Sequence, residues 1–499
     1  MLSRRTRSLR AQSAWLLGGR LAGFAVAFVV PIVIVRLLPQ ADYGTYKQFL
    51  LICGFLIGIL PMGAGASLYY FIPREPARAR GYLLQTVMFL LLVGGVAAAG
   101  LWTFRDELAR RFDSPDLVLL AGLMGLFVIF ELLGHLLEQV IVVAQQARAG
   151  AAVFAGSDLV RAIALLVPAL LTRSLFWVCA GAVVYAFLRA TALVAWSLIT
   201  YGVRRPLRLD WGQAEVQARY ALPFGVSVLV HNVLLLFHSF YVASVTGPAV
   251  FAVYAVGTQQ IAPVQLFFKS LFDVTLVRMT EHHAGEQWAD MQRLWRTLIA
   301  KQGLIMVPVV VGMWMLAPAF IEGVFTAAYL DAVPVFRLQL LVIWLTMLND
   351  HSVLRACGDT KVILGASVAG LVATVVAVPL LMPRLGLSGA ILGFLIGLVC
   401  VKLVGLSRLR RVLHMRRRDV LPWGVLGRYL TASVLAATLV YPTLSLVRGP
   451  VLQFLVSGFL FWVVYGALGW LGRLFTGNDR QDILALVHLL ARRLRRSDL

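Results

Sequence analysis

Seven basic side chains fall inside long apolar runs: Arg20, Arg161, Arg189, Lys269, Arg337, Lys402 and Arg428. A charge at mid-bilayer depth costs at least about 2.5–3.5 kcal/mol on insertion scales, so each needs a partner, a watery cavity or a function. A guanidinium stays protonated and forks onto phosphate oxygens, so such residues could offer fixed positive charge to a polyanion. Local pairing, or snorkelling of the long stems to the interface, would also account for them. Arg20 has no acidic neighbour at helical spacing, whereas Arg161 has Asp158 three residues before it and Lys269 has Asp273 at i+4. Lys402 and Arg428 lie near the ends of their runs.

Acidic and imidazole groups form a second pattern. Glu131, His135 and Glu138 recur at i, i+4 and i+7, which places all three on one helix face. Such a stripe could take up a proton or a sodium ion, because imidazole titrates near neutrality and burial favours a neutral carboxyl. It could equally be a polar seam against Arg161 or Arg189 in neighbouring helices. With Asp158 and Asp273, these are the candidate ion-coupling groups. His231, Asn232 and His238 make another polar strip, and Asn349, Asp350 and His351 a third, where Asp350 has Arg355 as a local partner.

The elements that hold these groups are membrane helices. Hydrophobic residues make up 60% of the chain and charged ones 14%, against roughly a quarter charged in soluble domains. Mean hydropathy is +0.85. About 20 apolar residues cross a bilayer core, and the apolar runs predict about fourteen spans. Six lie at roughly 11–38, 48–72, 82–104, 117–144, 151–171 and 176–201. Six more lie at roughly 220–245, 250–277, 298–319, 333–356, 362–382 and 386–407, and a last two at roughly 425–447 and 451–472. Basic linkers at 202–219 and 408–419 divide the chain into 1–205, 206–412 and 413–499. Pro61, Gly63 and Gly65 inside the second run predict a bent helix, tolerable where neighbours satisfy the freed backbone.

The net charge of +22 is scattered between apolar runs, whereas a nucleic-acid reader gathers its bases on one soluble face. With the N-terminus inside, 30 of the 45 Lys and Arg residues fall on the inner side and 8 on the outer, so both termini are expected in the cytoplasm. The first apolar stretch lacks a small-residue cleavage site and is expected to stay attached. The tail from Asp482 to Arg496 reads as a basic amphipathic helix for an anionic leaflet. Cys53, Cys179, Cys357 and Cys400 each stand alone in apolar sequence. His282, His283 and Glu286 match no zinc motif and read as solvated surface, and neither a P-loop nor a nucleophile elbow occurs. An internal echo pairs Tyr43 to Tyr46 with Phe251 to Tyr254, and Gln145 to Arg148 with Gly358 to Lys361, at nearly the same offset. Two six-helix repeats of equal orientation would be related by an axis along the membrane normal.

One stretch carries a family resemblance. Leu38, Asp42, Tyr43, Gly44 and Tyr46 form a corner, and Ser67, Leu68, Tyr70, Phe71, Ile72, Pro73 and Arg74 close the next helix. This pattern resembles the polysaccharide-transporter family, the Wzx-type O-antigen flippases of the MOP superfamily. The turns Arg355 to Lys361 and Leu385 to Ala390 are similar to later family turns, although no Asn-rich stretch follows Lys361. The resemblance spans about residues 10–410. It implies an all-α polytopic membrane protein with two six-helix lobes, V-shaped as in MATE transporters, plus two C-terminal helices, in the bacterial inner membrane. It implies a flippase that carries an undecaprenyl-pyrophosphate-linked oligosaccharide to the periplasmic leaflet by alternating access, without catalysis or cofactor. Its partners would be membrane lipids and the polymerase or co-polymerase of the same pathway.

On that reading Arg20, Arg161, Arg189, Lys269 and Arg337 draw in the pyrophosphate. A multidrug cation antiporter of the same superfamily would want acids to dominate, and the buried bases slightly outnumber the acids. A polysaccharide polymerase or ligase would want a substantial outer loop bearing Arg or His, and the outer loops are short.

Overall fold

The computed structural model describes residues 29–144, 147–201, 210–259, 275–276 and 278–471, and no strand occurs among them. A helical segment over 29–37 (α1) is followed by α2 (Gln40–Ile59), α3 (Ala64–Arg74), α4 (Ala79–Thr103), α5 (Arg105–Arg111), α6 (Asp116–Val143), α7 (Ala147–Thr172), α8 (Leu175–Tyr201), α9 (Trp211–Val245) and α10 (Pro248–Gly257). Then come α11 (278–284), α12 (Trp288–Val324), α13 (Val333–Met347), α14 (Asp350–Ala356), α15 (Thr360–Leu385), α16 (Leu387–Val412), α17 (Trp423–Val440), α18 (Thr443–Leu446) and α19 (Pro450–Leu471).

An apolar solvent leaves a backbone no outside partner, so each run closes its own hydrogen bonds as a helix. Among the described residues, 11 helical stretches are long and apolar enough to cross a membrane, and each overlies one expected span. The expected span at 151–171 falls on α7. Those at 11–38 and 250–277 are described only over 29–38, 250–259 and 275–276. Arg20, Lys269, Asp273 and the tail from Asp482 lie outside the described residues.

The chain divides into two compact units, Met1–Ala255 and Val256–Leu499. In the first, α6 is the hub, packed against α2, α3, α4, α5, α7 and α8, while α9 lies against α2, α3 and α4. Asp210 caps α9 by accepting from the Gly212 and Gln213 amides at 3.0 and 3.3 Å. Loops expected on one side of the membrane meet. Thr45 and Ser114 share a 2.9 Å hydrogen bond, Gln48 donates to the Phe112 carbonyl at 3.0 Å, and Gln40 donates to that of Ala249 at 3.3 Å. At the other end Gln85 donates to the Asp210 carbonyl at 2.8 Å.

In the second unit α12 packs against α13, α17 and α19. The last two spans are therefore built onto that core, with the Trp295 indole donating to the Val420 carbonyl at 2.7 Å and the Tyr465 hydroxyl to that of Leu304 at 3.0 Å. α15 and α16 form an antiparallel pair leaning on α13 and α14.

The expected bend in the second span is a break. Met62 and Gly63 adopt left-handed φ of 43° and 79° between α2 and α3. A methyl group on Gly63 would stand 2.7 Å from the Ala221 carbonyl oxygen of α9. Gly63→Ala is expected to destabilise the detergent-solubilised protein by about 1–3 kcal/mol through strain and overpacking, lowering its thermal midpoint by several degrees. Gly54 has open space around it, so Gly54→Ala should leave the midpoint unchanged or slightly raised.

Candidate functional site

The Glu131, His135 and Glu138 stripe lies on the central helix α6 and meets Arg189 of α8. The guanidinium donates to Glu131 Oε1 at 2.7 Å, to Glu138 Oε1 at 2.7 Å and to the Gly134 carbonyl at 3.1 Å. It also lies 5.5 Å from the Tyr185 ring, whose hydroxyl shares a 3.2 Å hydrogen bond with Ser157 of α7. His135 Nε2 stands 3.6 Å from the same Glu131 oxygen. Five donors in a fixed fork suit one arginine to two carboxylates. The arrangement is the polar seam that the spacing allowed, formed with Arg189 rather than Arg161. Arg189 is buried, and its two terminal nitrogens hold both carboxylates and the Gly134 carbonyl, while its Nε finds no partner among the described residues; the charge expected for a ligand is here balanced by Glu131 and Glu138.

Arg161 behaves differently. It is exposed on α7, and among the described residues it has neither a hydrogen bond nor an ion pair. The Asp158 carboxylate, expected as its i−3 partner, forms no ion pair with it. The charge of Arg161 is nonetheless felt at Tyr46, Lys47, His135 and Asp158. Lys47, on α2, sits over the Tyr43 ring at 5.2 Å and has no described ion pair either. Lys47 and Arg161 lie within electrostatic reach of each other, and Asp158 within reach of Arg161; with no ion pair on either cation among the described residues, the pair leaves room for an anion from outside.

Lys47 falls one residue before the expected span at 48–72. The helix begins earlier, at Gln40, and sets Tyr43 and Lys47 at i and i+4 inside it. The aromatic corner motif was the signal that could have extended the helix.

In the second unit, Arg337 donates Nε to the Trp314 carbonyl at 3.1 Å and lies 5.9 Å from that indole. It borders a cavity of about 800 Å³ between α12, α13 and α17, lined by Val310, Trp344, Val434, Tyr441 and other apolar groups. Asp350 pairs with Lys402 at 2.7 Å rather than with Arg355, because α16 packs directly on α14. No group of three or more His, Cys, Asp or Glu among the described residues could hold a metal ion.

The model of one family, described as polysaccharide biosynthesis protein, matches residues 33–334. The chain belongs to that family. The match runs from α1 into the start of α13, so Lys47, Arg161 and the whole Arg189 seam lie within the family region, and α17 and α19 beyond it. No curated protein matches the chain by sequence.

Solved structures share the fold. The lipid II flippase MurJ in an inward closed conformation is 12% identical with a TM-score of 0.71, covering 90% of this chain and 98% of its own. An inward-facing multidrug resistance MATE family transporter of the MOP superfamily is 16% identical with a TM-score of 0.61, covering 79% and 94%. A MOP superfamily transporter from Pyrococcus furiosus, whose binding pocket is described as of reverse polarity, is 15% identical with a TM-score of 0.58, covering 81% and 94%. The chain is thus a multi-pass membrane protein of the MurJ and MATE fold, without a strand among its described residues.

If the seam is structural, Arg189→Met strands Glu131 in the interior and should destabilise the protein by about 3 kcal/mol. Adding Glu131→Gln and Glu138→Gln should restore much of the loss, read as the thermal midpoint in detergent.

Proposed function

We propose that this protein is a flippase. It moves an undecaprenyl-pyrophosphate-linked oligosaccharide, such as an O-antigen or exopolysaccharide repeat unit, from the cytoplasmic to the periplasmic leaflet of the bacterial inner membrane. Both termini face the cytoplasm. Lobes spanning 1–205 and 206–412 alternate access, and 413–499 adds two helices and a basic tail. The polymerase or co-polymerase of the same pathway would take over the product.

The observation that carries this reading is that Lys47 and Arg161, within electrostatic reach of each other, have no ion pair among the described residues. Held alone, each cation costs free energy in a membrane. Held for a pyrophosphate, the two face a group carrying at least two negative charges, to which guanidinium forks and ammonium donates. Arg20 and Lys269 remain candidates for the same anion by their place in apolar sequence. The family supports a polysaccharide cargo, and the MurJ neighbour, by its name, a lipid-linked one. The apolar cavity between α12, α13 and α17 suits the hydrocarbon tail, with Arg337 at a polar end of it.

The MATE neighbours keep a second reading in view, export of a lipophilic cation. Its acids would be Glu131 and Glu138, and both are already occupied by Arg189. Binding decides between the two. Purified protein should retain an undecaprenyl-pyrophosphate-linked sugar in native mass spectrometry, with Lys47→Ala and Arg161→Ala each weakening retention by about tenfold or more. Binding of a lipophilic cation with indifference to the pyrophosphate would put the antiporter first.

A further inference from the structure

The second unit holds a fully buried carboxylate, Asp350, whose surroundings the transport reading does not use. The stretch Ala327–Ala356 is long and apolar enough to be one span, yet its helix stops at Met347 and restarts at Asp350. Leu348 and Asn349 between them have ψ of 83° and 56°. A break inside a membrane span frees backbone carbonyls that something must satisfy.

Lys402 of α16 does so, donating to the Leu348 carbonyl at 2.6 Å and to Asp350 Oδ1 at 2.7 Å. One ammonium therefore ties the end of α13 to the start of α14. The second carboxylate oxygen, Oδ2, is buried and accepts no hydrogen bond among the described residues. It occupies space that only glycine leaves open, since a methyl group on Gly405 would stand 1.7 Å away. His351 Nε2 lies 3.9 Å from Oδ2, on a side chain 24% exposed.

A carbonyl and a carboxylate converging at a broken helix is how membrane transporters hold a coupling cation. Here a tethered ammonium already fills that place, so a sodium ion would have to expel it. A proton on Oδ2 needs no such room. We propose that Asp350 is a proton-binding coupling site: Asp350 takes up a proton as Lys402 leaves it, and the two halves of the span are thereby released from one another. A carboxylate at this depth cannot stay charged once its cation has gone, so the parted state binds a proton that the latched state does not. Low pH therefore favours the parted state.

The other ionic groups close by are few. α16 supplies Lys402 and, six residues on, Arg408, which is paired with Asp359 at 2.8 Å. α14 supplies His351 and the exposed Arg355, and α15 the exposed Lys361 at its start. α13 brings no charge to this end, its arginine being Arg337 near the opposite end. His351, the nearest of these to Oδ2 apart from Lys402, is the route for the proton.

This inference rests on the reading of the chain as a transporter, but its test needs no cargo. With the native cysteines replaced, spin labels at Pro334→Cys and Arg355→Cys in the reconstituted full chain report the distance across the break. Lowering the pH from about 8 to about 5 should populate a second distance in the otherwise unchanged protein. Asp350→Asn should show that distance at every pH. Should Asp350→Asn fail to fold, Lys402→Gln, which removes the ammonium that ties Leu348 to Asp350, should already show the second distance at pH about 8.

A distance that ignores pH, a transition that survives in Asp350→Asn, or one driven by sodium at constant pH would overturn the proposal. A chain that shows the transition but translocates no glycolipid would instead refute the flippase reading and leave the latch standing.

Discussion

A charge inside the membrane must be answered by another charge, and the first unit is arranged around one such answer. Arg189 joins two helices by holding Glu131 and Glu138 at once, with the Gly134 carbonyl also accepting from it. Because α6 also contacts α2, α3, α4, α5 and α7, the pair fixes the helix against which the rest of the unit is packed. The state of Lys47 and Arg161 has meaning only against that background. The same unit that neutralises Arg189 with two carboxylates gives these two cations no ion pair among the described residues.

The second unit meets the same constraint with the ammonium of Lys402 in place of a guanidinium. Lysine is a point charge on a flexible stem, more easily withdrawn than a forked arginine. Its partner Asp350 sits at a break rather than within a continuous helix, so the interaction holds two short segments whose own hydrogen bonding is interrupted. The seam of α6 and α8 is braced by continuous helices on both sides, and the Asp350 tie is not.

Much of the architecture was legible in the sequence because hydropathy alone dictates where a chain can cross a membrane. Every described candidate span lies over an expected one, and the break after Leu60 was signalled by Pro61 and Gly63. Helical spacing put Glu131, His135 and Glu138 on one face. What spacing could not give was the partner across the packing interface. Arg161 and Arg189 were equal candidates for the seam, and only the approach of α8 to α6 selects Arg189. Asp350 was matched to Arg355 by proximity along the chain, whereas its cation comes from α16, a contact 52 residues distant. Lys47 falls outside the expected span at 48–72 because its polar neighbours end the apolar run, although the helix already begins at Gln40.

The most direct test of the account is the leaflet accessibility of an undecaprenyl-pyrophosphate-linked oligosaccharide in proteoliposomes, comparing unmodified protein with Arg161→Ala at equal folded amounts. The account predicts that the unmodified protein exposes the sugar on the far leaflet and that the variant does so at least about tenfold more slowly. Equal rates in the two proteins, or a glycolipid left unmoved by the unmodified protein, would contradict it.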